Sequence, residues 1–137
     1  MQSNLLAAWV GILLGFLSGL VLGLFFHREN WLGGYGSFKR RLYRLAHISL
    51  FGLGAVNLFF YLTARTLAPH LALTLASSTF IIGAITMPIC CVLMAHFPNT
   101  RLLFALPVLS LTAGGILTLV AICGSGPVAN HQLSILN

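Results

Sequence analysis

Leu5 to Phe26 reads LLAAWVGILLGFLSGLVLGLFF, an uncharged run with glycine at positions 11, 15, 19 and 23. Residues four apart share one side of a helix. Gly11, Gly15, Gly19 and Gly23 therefore form a row without side chains, along which a neighbouring helix backbone can approach closely. The run is also long enough to cross a hydrocarbon core of roughly 30 Å, which takes about 20 residues. This is a packing pattern and carries no catalytic signature.

Three further apolar segments follow, over 45–63, 71–95 and 102–123. Hydrophobic residues make up 58% of the chain, against seven basic residues and one acidic residue. A soluble domain has about one quarter charged residues. The expectation is an all-α integral membrane protein: one domain over 1–137, folded as a four-helix transmembrane bundle with antiparallel, up-and-down neighbours and a loosely ordered tail over 124–137. Segment three repeats small residues at Thr79, Gly83, Thr86 and Cys90, and segment four at Ser110, Gly114 and Thr118. The glycine row of segment one is expected to close against these two stripes. Pro88 should kink segment three, and Pro107 should bend the first half of segment four.

The basic residues are unevenly placed. Arg28, Lys39, Arg40, Arg41, Arg44 and Arg101 fall in or beside the first and third connections, and Arg65 alone falls in the second. Cytosolic loops are enriched in Lys and Arg, so residues 27–44 and 96–101 are expected on the cytosolic side of a bacterial-type inner membrane. Both termini then lie outside. No basic region precedes the first apolar run, which argues for an uncleaved anchor rather than a signal peptide. Positive charge in the first turns of a helix opposes its dipole. Lys39, Arg40, Arg41 and Arg44 are therefore read as a docking cluster for lipid phosphates or an acidic partner, beside their topogenic role. Nucleic acid is not needed to explain them. Ser37 is placed to cap the helix that starts at Phe38, and Asn99 or Thr100 to cap the fourth.

No acidic or basic side chain lies well inside an apolar segment, which disfavours proton-coupled transporters, pumps and aspartyl intramembrane proteases. Cys90 and Cys91 are adjacent rather than spaced as C-x-x-C, and Cys123 lies toward the other end of its helix, so they read as small apolar residues. His27, His47 and His96 fall near the same ends of three segments. Two facing imidazoles can hold a b-type haem, and one at the head-group level can bond a quinone. His47 is the best placed of the three; His70 and His131 belong to the other side. Asn57 stands in mid-segment, where its amide needs an interhelical partner. No metal site is indicated.

The leading expectation is a non-catalytic subunit or accessory protein of a larger membrane assembly, a respiratory complex being one such, joined to other subunits or to itself. The alternatives are an electron-transfer protein holding haem b or quinone at His47 with His27 or His96, and a passive permease for a neutral solute.

Overall fold

The structure, a computed structural model, describes residues 1–124. These form four long α-helices and no strand: α1 (Gln2–Phe25), α2 (Phe38–Ala64), α3 (Leu71–His96) and α4 (Ala105–Gly124). Each is long and apolar enough to cross a membrane once the 3₁₀ turns leading into α4 are counted with it. The expected tail, from residue 125 onward and including His131, lies outside the described residues.

Local chemistry explains the helix boundaries. Ser37 caps α2 as expected, its Oγ accepting from Arg40 N at 3.1 Å. His70 caps α3 in the same manner, with Nδ1 accepting from Ala72 N at 3.1 Å. Between α1 and α2 the chain makes a 3₁₀ turn at Trp31–Gly33, and Gly33 (φ 86°) and Gly34 (φ 92°) take left-handed conformations that only glycine adopts without strain. The entry to α4 is also 3₁₀, over Pro98–Phe104, and Phe97 stands at its N-cap without a side-chain bond, in place of the Asn99 or Thr100 cap expected. Pro107 has no N–H to return to Leu103 O. That carbonyl accepts instead from Ala105 N and, at 3.4 Å, from Cys90 Sγ.

Helices adjacent in sequence are adjacent in space: α2 packs on α1 and on α3, and α4 packs on α3. α1 meets α3 over a short stretch and has no comparable interface with α4. This changes the partner expected for the glycine row. A Cβ at Gly11 would sit 3.0 Å from Leu50 O, one at Gly15 2.8 Å from the Phe51 ring and one at Gly19 2.8 Å from His47 Cε1, whereas one at Gly23 would meet nothing within 4 Å. Three of the four glycines therefore face α2, and the fourth faces open space. The stripes of α3 and α4 meet each other, since a Cβ at Gly114 would lie 2.8 Å from Thr79 Oγ1 and one at Gly83 would strike Leu111. The short connections explain this pairing, because they bring consecutive helices together first.

The main apolar cluster joins α2, α3 and α4 through Phe60, Leu73, Ala76, Phe80 and Ala121. The Phe60 and Phe80 rings lie 5.2 Å apart. By contrast, long stretches of α1 and α4 expose leucine, valine, isoleucine and phenylalanine.

Candidate functional site

Three polar clusters and one groove are candidates. Asn4, in the first turn of α1, donates through Nδ2 to Asn57 Oδ1 at 2.9 Å and to Ser77 O at 3.2 Å. Ser77 Oγ donates to Asn4 Oδ1, while Asn57 Nδ2 donates to Leu53 O at 2.9 Å and to Phe80 O at 3.4 Å. Both asparagines are fully buried. Two amides and one hydroxyl offer five hydrogens, and all five are used. The cluster ties α1, α2 and α3 together and leaves no hydrogen for a ligand, which gives Asn57 the interhelical partner its position demands. Asn4 was not foreseen because it precedes the uninterrupted apolar run; its only sequence signal is an amide within one helical turn of that run.

The histidines have different partners. His47 Nδ1 lies 2.9 Å from Ser18 Oγ of α1. Ser18 Oγ also lies 2.9 Å from Gly15 O. The ring lies against Gly19 and edge-on to Phe51, with centroids 5.4 Å apart. His96 is exposed and shares a 2.9 Å hydrogen bond with Tyr43 OH. His27 is exposed on the turn after α1. Among the described residues no group of three or more His, Cys, Asp or Glu is arranged to hold a metal ion.

The basic cluster divides. Lys39, Arg41 and Arg44 are exposed, as docking residues should be, but Arg40 is 1% exposed and belongs to the interior of this end. Its guanidinium lies 3.8 Å from the centre of the Tyr35 ring, 5.2 Å from Phe26 and 5.7 Å from Trp31, and donates to Phe26 O at 3.0 Å. Cation–π attraction and these donated bonds fold the α1–α2 connection back onto α2. Arg44 adds a bond to Tyr35 O at 3.1 Å. Arg40 thus corrects the docking expectation: ring faces and the Phe26 carbonyl, which also accepts from Tyr35 OH at 2.9 Å, draw its charge inward.

What remains open is a groove of about 430 Å³ between α1 and α3, with α2 at its floor. Gly11 and Gly54 form the floor, Val10 and Leu14 one wall, and Ile81 and Ile85 the other. Ala7 and Ala84 widen it, and Ser3 is the one side chain with a hydroxyl along its length. The size falls within the usual range of binding pockets, about 300–1,000 Å³. Neither Ser18 nor His47 lines it, so the groove does not run on to the histidine.

Thr86, Ser110 and Thr118 bond carbonyls of their own helices, at 2.7, 3.0 and 2.8 Å. Comparison of the chain with protein-family models, with curated proteins and with solved structures finds no match.

Proposed function

We propose that this chain is a non-catalytic subunit of a larger membrane assembly, with its four helices spanning the bilayer in antiparallel order and the α1–α3 groove receiving an apolar helix of another subunit. The observation that carries the reading is the groove itself. Small residues at Ala7, Gly11, Gly54 and Ala84 leave room for a close-packed ridge, and lipid offers no hydrophobic penalty for leaving it unfilled, so its value lies in shape. The buried amides have all their hydrogens engaged, by each other and by main-chain carbonyls, and offer none to a ligand. In the proposed orientation the end bearing Arg40 is cytosolic and both termini lie outside, in accord with six basic residues at one end and Arg65 at the other.

Filling the groove tests this. Ala84→Leu should abolish copurification of a stoichiometric membrane partner while leaving thermal unfolding in detergent within about 1 kcal/mol of the parent. Ile82→Ala, at an exposed position of α3 outside the groove, should leave the partner bound. Loss of the partner in both variants, or in neither, would count against the groove.

The haem alternative is favoured by one observation, the 2.9 Å hydrogen bond between His47 Nδ1 and Ser18 Oγ, which resembles the second-shell bond that orients a ligating imidazole. Its test is optical: a Soret band in the purified protein that His47→Ala removes. The permease alternative has less support, because the groove offers a neutral solute one hydroxyl along its length.

A further inference from the structure

The chain holds seven basic side chains and one acidic one, so Glu29 can neutralise no more than one cation within the chain. The rest are compensated from outside. At the end where α1 meets α2, Arg40 points into the aromatic box, and this fixes the directions of its neighbours. Successive residues of a helix are about 100° apart. Lys39 and Arg41 therefore leave α2 on opposite sides of Arg40, each about 100° away, with Arg44 about 40° round on the Arg41 side. All three are exposed, Arg44 while also donating to Tyr35 O at 3.1 Å.

Exposed Arg28 sits on the adjoining turn, 5.5 Å from the centre of the Phe25 ring. Exposed Arg101 follows α3, whose end is held to this level by the bond between Tyr43 and His96. The cations thus leave this end from the α1–α2 turn, from diverging sides of α2 and from the segment after α3, instead of from one helix face. A protein partner would reach one sector, whereas phosphates of a lipid leaflet surround the helix on every side. Large apolar side chains are exposed at the same level, among them Phe38, Leu45 and Phe97, as a head-group boundary requires.

We propose that Lys39, Arg41 and Arg44 form an anionic-phospholipid collar, with Arg40 as the positioning residue that turns the others outward. It rests on the spanning helices of the preceding reading and not on what fills the groove. Each Lys or Arg near an anionic surface strengthens association by roughly five-fold.

Trp31, stacked on Phe25 with ring centroids 5.5 Å apart, reports on this end, and Trp9→Phe leaves it as the sole indole. The full chain carrying that change is placed in phosphatidylcholine bilayers, and quenching of Trp31 is measured with phosphatidylglycerol or phosphatidylcholine brominated near the top of the acyl chain. The expected result is preferential quenching by the brominated phosphatidylglycerol, weakened by salt. Lys39→Gln, Arg41→Gln and Arg44→Gln should each lower the preference roughly five-fold and together lower it further, Arg28 and Arg101 keeping a residue of it. Arg65→Gln, at the other end, should leave it intact.

Equal quenching by the two lipids in the parent protein would overturn the collar and leave the cations to topogenesis or an acidic protein. If the triple variant does not fold, the single variants decide: an unchanged preference in all three refutes the proposal. Loss of a groove partner in the Ala84→Leu protein with the lipid preference retained would separate the two readings.

Discussion

The two ends of the α1–α2–α3 layer treat polarity in opposite ways. At one end the side chains of Asn4, Asn57 and Ser77 spend all their hydrogens on one another and on main-chain carbonyls, and present nothing outward. At the other, Arg40 is consumed inside while Lys39, Arg41 and Arg44 remain exposed. The difference separates polar groups wholly enclosed by this chain from charged groups that stay accessible at its surface, Arg44 among the latter although it also bonds Tyr35 O. A buried amide in an apolar medium has no solvent to fall back on, so losing its partner exposes the full cost of desolvation. A cation at the head-group level keeps water and phosphate within reach.

The sharpest way to break the comparison is at the closed end. Asn57→Leu should cost about 2 kcal/mol by leaving Asn4 short of a partner in the core, read as a lowered unfolding midpoint in detergent. An unchanged midpoint would mean that the amide cluster is not a clamp.

At the open end, Arg40→Met should cost about 1 kcal/mol and should also raise the exposure of Trp31 to an aqueous quencher, because the connection loses what folds it back. Arg41→Met should do neither. If the two variants behave alike, Arg40 is one more surface cation and the division within the cluster fails.

Between the ends, the glycine row grades the effect. Gly11→Ala meets a backbone carbonyl, Leu50 O, that cannot move aside, whereas Gly15→Ala meets the side chain of Phe51. Gly11→Ala should therefore be the more costly, by about 1 kcal/mol, a modest overpacking effect. Gly23→Ala, with open space before it, should lie within about 0.5 kcal/mol of the parent or above it through helix propensity. Equal losses at all three would refute a seam confined to the first three glycines.

Much of the fold is legible in the residues. Length, hydropathy and the near absence of charge place four helices able to cross a membrane, and Ser37 marks the start of α2 by its chemistry alone. What the pattern of small residues does not contain is the identity of their partners. A stripe at i, i+4 says that something approaches, and only the connectivity decides that α1 takes α2 while α3 takes α4. The candidate site was less legible. Arg40 has the same side chain as Arg41 and Arg44, and its burial depends on rings contributed by Phe26, Trp31 and Tyr35 across a turn. His27, His47 and His96 share a level by sequence, yet sharing a level leaves rotation about each helix free. Rotation is what sends His47 to Ser18 and leaves His96 with Tyr43. The groove has no sequence signature, since it arises where α1 and α3 stand apart over Gly54.

The central claim is that this groove belongs to another subunit. It is tested most directly with a photo-crosslinking amino acid in place of Ile85, on the α3 wall, irradiated in intact membranes. The account predicts one discrete adduct with a single membrane protein, absent when the probe is moved to Ile82; adducts with lipid alone, or the same protein captured equally from both positions, would contradict it.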